Sequence, residues 1–245
     1  MPGIPEVLPG DDVVAILTAT LEGAGLSLQQ GDLLVIAQKI ISKAENRYIY
    51  LDEVTPGARA LALAPQCEKD PRLVELILQE SDEVMRVRPG VIVVQHQRGY
   101  VHANAGIDKS NLPSSARERV LRLPVDADAS AEKIRSRLSE RFGVEIGVII
   151  NDSAGRAWRT GAIGFAIGTA GFEPLVDMIG TPDRFGRVME VTQVAVADEL
   201  AAAASHLMGQ AAEGQPVVLI RGASVRLGSY SSSSLIRNRQ LDLFR

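Results

Sequence analysis

Short runs of consecutive apolar residues recur along the chain, each bounded by polar residues or glycine. Unbroken apolar runs of this length are typical of strands that are buried on both faces. Residues 91–94 and 100–103 flank the polar segment 95–99 and predict a hairpin. The other predicted strands are residues 33–37, 144–150, 188–191 and 216–220.

Apolar residues spaced three and four positions apart predict the helices. The first begins after Asp11 or Asp12 and ends at Gly23 or Gly25. The remaining helices are expected at residues 38–45, 58–65 after a Thr55-Pro56 cap, 73–85 after Asp70-Pro71, 130–142 with Ser130 as the cap, and 194–208.

The organisation of the chain is that of one large domain or two intertwined subdomains within residues 1–245. No internal repeat or clear linker divides it. Residues 161–171 are rich in glycine, which permits close approach of a neighbouring strand or a ligand. Residues 222–245 form a basic, serine-rich tail, and we expect the serine run 231–234 to be mobile.

Composition narrows the class of protein. Hydrophobic residues make up 46% of the 245 residues, enough for a substantial core, and 4% are aromatic, so that core is mostly aliphatic. A net charge of −4 argues against a general nucleic-acid binder. Cys67 is the single cysteine, no apolar run is long enough to span a membrane, and the first residues lack a signal pattern. We therefore expect a soluble cytoplasmic protein with no membrane partner.

Two carboxylates, Asp108 and Asp152, each follow a predicted strand and lie near the hydroxyl of Ser110 or Ser153. Carboxylate and hydroxyl oxygens suit Mg²⁺ or Mn²⁺ better than zinc. We expect the two carboxylates to share one ion that carries phosphate groups. In the alternative interpretation, each carboxylate only caps its own turn, as Asx turns do.

Lys39 and Lys43 are four residues apart, so they would share one face of a helix. An anion between two ammonium groups stabilises such a pair, and we expect both lysines to bind phosphate, with Arg156 and Arg159 as further cations. The alternative is two solvated lysines, one of them paired with Glu45.

Familiar catalytic motifs are absent from the sequence. It contains no G-x-x-x-x-G-K-[ST] loop, no G-x-G-x-x-G after a strand and no G-x-S-x-G elbow. His96, His102 and His206 have no zinc spacing, and we expect His96 and His102 at the surface. The residues thus indicate a nucleotide phosphate and a metal without a standard nucleotide-binding motif.

Several segments resemble the coenzyme F420-0:L-glutamate ligases, the F420 gamma-glutamyl ligase family in its free-standing form. The resemblance follows the family's order over nearly the whole chain. It rests on residues 3–7 (GIPEV), 35–45 (VIAQKIISKAE), 103–111 (ANAGIDKSN), 152–159 (DSAGRAWR), 166–168 (AIG), 196–201 (VADELA) and 242–245 (DLFR).

The resemblance implies an α+β, intertwined mixed-sheet fold and a homodimer. It also implies an enzyme that uses GTP to join L-glutamate to coenzyme F420-0 and then adds further gamma-linked glutamates. Because amide formation needs an activated carboxylate, we expect an acyl phosphate as the intermediate. The implied cofactors are GTP as co-substrate and two divalent ions, Mg²⁺ or Mn²⁺, with K⁺ as a further candidate.

The family's site residues can be carried over position by position. Asp108, Asp152 and Arg156 are the implied catalytic residues, and Asp108, Asp152, Ser153 and Gln210 the implied metal ligands. The implied nucleotide-binding residues are Ile4, Pro5, Glu6, Val7, Gln38, Lys39, Lys43, Asn111, Met208, Gly209, Gln210, Ala211, Ala212, Glu213, Gly214 and Gln215.

The sequence departs from the family pattern at Ala154 and Ala157, where the family commonly has Phe and Pro. These departures leave two further functions open: a ligase for a different carboxylate acceptor, or a GTP-binding homologue with impaired turnover. An interaction module that uses the basic tail is a third possibility, but it would leave Lys39, Lys43 and the two carboxylates unexplained.

Overall fold

The structure, a computed structural model, describes residues 1–242. Its α-helices are α1 (Val13–Gly23), α2 (Gln38–Ala44), α3 (Ala58–Cys67), α4 (Pro71–Gln79), α5 (Ala127–Phe142) and α6 (Val196–Met208). Its strands are β1 (Leu33–Ala37), β2 (Tyr48–Tyr50), β3 (Ser81–Arg88), β4 (Val91–His96), β5 (Val101–Ala103), β6 (Arg119–Leu121), β7 (Gly147–Arg156), β8 (Arg159–Ala170), β9 (Val176–Asp177), β10 (Gln193–Val194) and β11 (Val217–Ile220).

The largest sheet has four strands in the order β11, β1, β7, β8. Strand β1 runs parallel to β7 and antiparallel to β11, while β7 and β8 form an antiparallel hairpin. Both neighbours of β1 come from distant parts of the chain. Because β1 is covered on both faces, four of its five residues are buried, as the unbroken apolar run predicts.

Helices cover both faces of this sheet. On one face, α1 and α5 pack against alternate residues of β1 and β7, including Leu34, Ile36 and Val148. On the other face, α6 packs against Val35, Ile149 and their neighbours. The Asp12 side chain caps α1 by accepting hydrogen bonds from the backbone N–H groups of residues 14 and 15, which confirms the predicted start of this helix.

A second layer is built from α3, α4 and the antiparallel sheet β3-β4-β5, with its own apolar cluster around Ala60, Ile77 and Val94. The short pair β2 and β6 lies beside it and buries Leu51, Leu76 and Val120. Separate sheets with helices packed on them form an α+β fold with mixed strand directions, as the resemblance implied. Within residues 1–242, no helix combines the length and apolarity that crossing a membrane requires.

Three of the predicted helices differ in their bounds or caps. The predicted helix 73–85 ends at Gln79, and residues 81–88 instead form β3, whose pairing with β4 overrides local helix propensity. Helix α5 begins at Ala127 because the Asp126 carboxylate, and not Ser130, accepts a bond from Ala129 N. Gly57, and not Thr55, occupies the cap position of α3.

The prediction of a strand at residues 188–191 was wrong. Val188 makes only an isolated bridge with Pro182, and Val191 is exposed, so no sheet covers these apolar side chains. The turn at residues 183–186 is confirmed by the hydrogen bond from Gly186 N to Asp183 O.

The serine run of the tail is folded against the domain, contrary to the mobile tail that the sequence suggested. Residues Ser232–Leu235 form a 3-10 turn, and Ser232 donates from its N and its Oγ to the carboxylate of Asp128. Local composition could not predict this contact because its acceptor lies on α5. The last three residues of the tail, 243–245, including most of the DLFR segment, lie outside the described residues.

Candidate functional site

One edge of the large sheet brings three distant segments together. Ala37, the last residue of β1, pairs with Asn151 of β7, and its N–H donates to Pro216 O just before β11. The beginning of α2, the middle of β7 and the loop after α6 therefore meet at this edge. Asp152 lies within β7 and not beyond its end, because β7 continues to Arg156 as one arm of the hairpin with β8.

These segments enclose a cleft of about 670 Å³, which we call the central cleft. All of the residues implied in nucleotide or metal binding line it: Ile4, Pro5, Glu6, Val7, Gln38, Lys39, Lys43, Asp108, Asn111, Asp152, Ser153 and residues 208–215. Ser110, whose hydroxyl the sequence placed beside Asp108, lines it as well, and so do side chains that were not predicted, among them Leu112, Pro113, Asn151 and Ser205.

Lys39 and Asp108 form an ion pair at the cleft wall. Lys39 Nζ lies 2.6 Å from Asp108 Oδ2 and donates to the backbone and side-chain oxygens of Ser110. Asp108 also accepts from Ser110 N and Oγ, as in the Asx-turn alternative. Burial raises the pKa of Asp108, but Lys39 and the Ser110 donors outweigh it, so the pKa lies below its usual value and the carboxylate is ionised.

Lys43 is buried and its Nζ lies 2.6 Å from Glu6 Oε1 in the segment before α1. Glu45 is not its partner, because that carboxylate accepts from Val125 N and Ser130 Oγ. Neither lysine is a freely solvated surface group. Each is paired with a carboxylate of its own, Asp108 or Glu6.

His102 contacts the second carboxylate. Its Nε2 lies 3.0 Å from Asp152 Oδ2, and its Nδ1 lies 2.8 Å from Ala103 O. Burial lowers the pKa of His102, but the hydrogen bond and the charge of Asp152 outweigh burial and hold this pKa above its usual value. The expectation that His96 and His102 lie at the surface was wrong, since both are buried.

The remaining implied ligands are held by short-range contacts. Ser153 N donates to Asp152 Oδ1 at 2.8 Å. Gln210 Nε2 donates to Ser205 Oγ at 2.9 Å, a bond that uses the amide nitrogen and not the amide oxygen. Asn111 Nδ2 donates to Ala211 O and so ties the turn after β5 to the loop after α6.

Arg156 lies apart from this group. Its Nη1 donates to Gly161 O within the β7–β8 hairpin, and it is not among the described residues that line the central cleft. The tip of the same hairpin carries Ala157 and Trp158, and the Trp158 side chain is exposed. Of the two altered positions of the family motif, Ala157 is therefore at the tip of this hairpin, whereas Ala154 lies within β7, paired with Ile163 and next to Ser153 of the central cleft.

The donor set of the cleft fits a hard divalent cation. Asp108, Asp152, Ser153 and Gln210, which all line the cleft, offer carboxylate, hydroxyl and amide oxygens. The Lys39 ammonium already occupies a cation position on Asp108. Within residues 1–242, no three His, Cys, Asp or Glu side chains form a cluster that could hold a metal ion. Mg²⁺ and Mn²⁺ sites of one or two carboxylates are usually completed by water and phosphate oxygens.

The burial of His102 follows from its position in the β4–β5 hairpin. His102 pairs with Val94 across the β4–β5 hairpin, and Val94 alternates with Ile92 and His96 along the buried face of β4. Since opposite residues of an antiparallel pair share one face, His102 must face inwards. Asn151 was also missed, because only the pairing of β7 with β1 brings its side chain to the cleft.

Comparison with known proteins agrees with this architecture. Residues 3–222 match the family model described as F420-0:Gamma-glutamyl ligase. The chain is 48% identical to the coenzyme F420:L-glutamate ligase of Methanothermobacter thermautotrophicus, over 99% of this chain and 96% of the relative. It is 43% identical to the enzyme of the same name from Methanopyrus kandleri, over 98% and 94%, and 40% identical to that from Archaeoglobus fulgidus, over 99% and 94%. The chain belongs to the F420-0:gamma-glutamyl ligase family.

Proposed function

We propose that this protein is a GTP-dependent ligase that joins L-glutamate to coenzyme F420-0 and then adds further gamma-linked glutamates. One observation carries the proposal: the central cleft combines two lysines with two carboxylates. The chain that forms this cleft is similar over nearly its whole length to relatives named coenzyme F420:L-glutamate ligase. Cations for phosphate and oxygens for a divalent ion are the groups that phosphoryl transfer from GTP requires.

The proposed reaction has two steps. A carboxylate oxygen of F420-0 attacks the γ-phosphorus of GTP, the bond to GDP breaks, and an acyl phosphate forms. The amine of glutamate then attacks the acyl carbon, the amide bond forms, and inorganic phosphate leaves, while the amine loses a proton to solvent. Neither step needs a covalent bond to the protein.

The side chains of the cleft have defined tasks in this scheme. Lys39 and Lys43 bind the phosphate oxygens after exchanging their carboxylate partners for the nucleotide, which offsets the charge of the transferring group. Asp108 and Asp152, with Ser153 and Gln210, would hold Mg²⁺ or Mn²⁺, which when bound supplies electrostatic stabilisation of that charge. The loop 208–215 closes the cleft beside Asn111 and would contact the nucleotide.

A second candidate is a ligase of the same chemistry with a different carboxylate acceptor. Ala154 and Ala157 favour it, because the smaller side chains change the surface of the β7–β8 arm while leaving the cleft residues in place. A nucleotide-binding homologue with impaired turnover is the third possibility.

Turnover assays distinguish the three functions. The protein is incubated with GTP, Mn²⁺, L-glutamate and F420-0, and GDP release and product mass are measured with each substrate omitted in turn. We expect GDP release only with both F420-0 and glutamate present, and product masses that increase by glutamyl units. GTP turnover that does not depend on F420-0 would indicate another acceptor. GTP binding without GDP release would indicate a homologue with impaired turnover.

The Asp152→Asn variant tests the role of the carboxylate, since it keeps the shape and removes the charge. We expect turnover to fall about 100-fold, the typical loss when one electrostatic stabiliser is removed. Asp183→Asn is the matched control, because Asp183 lies in an exposed turn and should leave turnover unchanged. A folded Asp152→Asn protein with wild-type turnover would contradict the assignment.

We also propose that the protein is a homodimer. Trp158, Phe185 and Val191 expose 89%, 91% and 85% of their surface, and contact with a second copy of the chain would remove such apolar surface from water. Light scattering at micromolar concentration should give twice the mass of 26.3 kDa. A monomer mass under these conditions would contradict this part of the proposal.

A further inference from the structure

We propose that His102 is a positioning residue that holds the Asp152 carboxylate in the orientation needed to bind a divalent cation. This inference rests on the proposed function of the central cleft. His102 does not line the cleft itself, and it would act only through Asp152.

The two ring nitrogens of His102 fix the plane of the imidazole. Nδ1 faces Ala103 O, which can only accept, so Nδ1 donates to it. Nε2 faces an oxygen of Asp152 at 3.0 Å, and an ionised carboxylate also only accepts, so Nε2 donates as well. Two bonds on opposite sides of the ring prevent it from turning without breaking one of them.

The surroundings of the ring prevent it from shifting. His102 is 6% exposed. Tyr100 lies edge-on with its ring centroid 6.4 Å away, and Phe165 of β8 lies 5.6 Å away on another side. In a close-packed interior, such neighbours restrict a side chain to one rotamer.

Asp152 receives one donor on each carboxylate oxygen. Ser153 N donates to Oδ1 and His102 to Oδ2. Each oxygen therefore keeps a lone pair for another ligand, while rotation of the carboxylate about χ2 would break both bonds. The donor on Oδ2 comes from β5 in a different sheet, so the contact also fixes the distance between β5 and β7.

Partners that orient a ligating side chain affect metal affinity directly, typically by about 10-fold to 100-fold. A purely structural ion pair would instead affect the stability of the fold and leave the affinity of the folded protein for the metal unchanged. Metal binding and unfolding, measured on the same variants, separate these two roles.

The test uses Mn²⁺ alone as the probe, with the dissociation constant of the full chain measured by electron paramagnetic resonance and thermal unfolding measured in parallel. We expect His102→Phe, which keeps a ring and loses the donor, to bind Mn²⁺ about 10-fold more weakly or worse. His102→Gln places an amide N–H near the position of Nε2 and should restore binding to within about threefold of the wild type.

His96→Phe is the matched control. His96 is also buried, stacks on the same Tyr100 and contacts Glu80 instead of Asp152, so its loss should leave Mn²⁺ affinity unchanged. In the Asp152→Asn background, His102→Phe should cause no further loss, because its effect passes through the carboxylate.

Three results would overturn the proposal. The first is a folded His102→Phe protein that binds Mn²⁺ as tightly as the wild type. The second is a double variant, Asp152→Asn with His102→Phe, in which the two losses of Mn²⁺ affinity are fully additive. The third applies if His102→Phe does not fold: His102→Gln and the shorter His102→Asn would then bind Mn²⁺ with equal affinity. These results leave the ligase proposal standing, whereas a wild-type protein that binds Mn²⁺ no better than Asp152→Asn would overturn both the metal site at Asp152 and the role of His102.

Discussion

Each lysine of the central cleft is neutralised by a carboxylate from another part of the chain. Lys43 is buried and would be costly to leave unpaired, so Glu6 compensates its charge. Glu6 is itself half-exposed and can move away at little cost. A phosphate group that binds Lys43 must therefore displace Glu6.

Substitutions of this pair should change nucleotide affinity in opposite directions. Lys43→Ala removes a charge-assisted hydrogen bond and should weaken GTP binding about 10-fold. Glu6→Gln removes the competitor, and we expect GTP to bind several-fold more tightly. Isothermal titration calorimetry gives both dissociation constants. Glu22→Gln, which removes the same charge from the exposed pair with Arg141, is the control and should have no effect. Weaker binding by Glu6→Gln would show that the Glu6 side chain contributes to binding and does not compete with it.

Among secondary-structure elements, β8 illustrates how glycine permits close packing. The sequence predicted close approach along residues 161–171, either to a strand or to a ligand, and the structure shows two helices there in addition to the paired strand β7. A Cβ at Gly168 would lie 2.4–2.6 Å from atoms of Ala127 at the start of α5. A Cβ at Gly164 would lie 2.5 Å from Ala201 O of α6.

Gly168→Ala should therefore destabilise the protein. The neighbouring atoms include backbone, which cannot rotate away, so we expect the free energy of unfolding to fall by about 1–3 kcal/mol, the usual cost of overpacking. Gly155→Ala on β7 is the control, since a Cβ there has no atom within 4 Å. Urea denaturation of both variants measures the difference, and equal stabilities would contradict the packing described here.

The apolar pattern predicted β1 and β11 to within one residue and β4 and most of α6 closely, because buried runs and helical spacing are local properties. It did not predict that β7 continues through Asp152, since residues 152–156 form no apolar run and owe their strand conformation to pairing with β8. The two lysines and two carboxylates of the cleft were inferred from their spacing and chemistry, and the other cleft residues from family motifs. Their convergence depends on Ala37 pairing with Asn151, which no local pattern contains.

At the scale of the whole molecule, one ion pair connects the segment before β1 with the segment after β11, which are far apart in sequence. Arg221, just after β11, makes two hydrogen bonds to the carboxylate of Asp32, just before β1. Gln29 N donates to the same carboxylate. Burial raises the pKa of Asp32, but the bonds from Arg221 and Gln29 outweigh it, so the pKa lies below its usual value.

This pair should make stability depend on pH in a defined range. A carboxyl group with a lowered pKa in the folded state stabilises the fold above its unfolded pKa, near 4, and this contribution is lost as pH falls through the folded pKa. Asp32→Asn should cost about 2 kcal/mol at pH 7. The difference in the free energy of unfolding between wild type and Asp32→Asn should become smaller below about pH 4. Urea denaturation from pH 3 to pH 7 measures it, and a gap independent of pH would contradict the assignment.

The pairing of β1 has a consequence for how the chain acquires its structure. Leu33 pairs with Gly147 on one side and with Ile220 on the other, so both hydrogen-bonded neighbours of β1 are synthesised long after it. Closing such long loops costs conformational entropy before the stabilising contacts form. Proteins with many contacts between residues distant in sequence therefore fold slowly. During synthesis, the apolar run of β1 remains without a strand partner until β7 emerges from the ribosome, and without its second partner until β11 emerges. Helices α3 and α4 with β3 and β4 involve contacts close in sequence and can form earlier, which makes the central cleft one of the last parts of the protein to assemble.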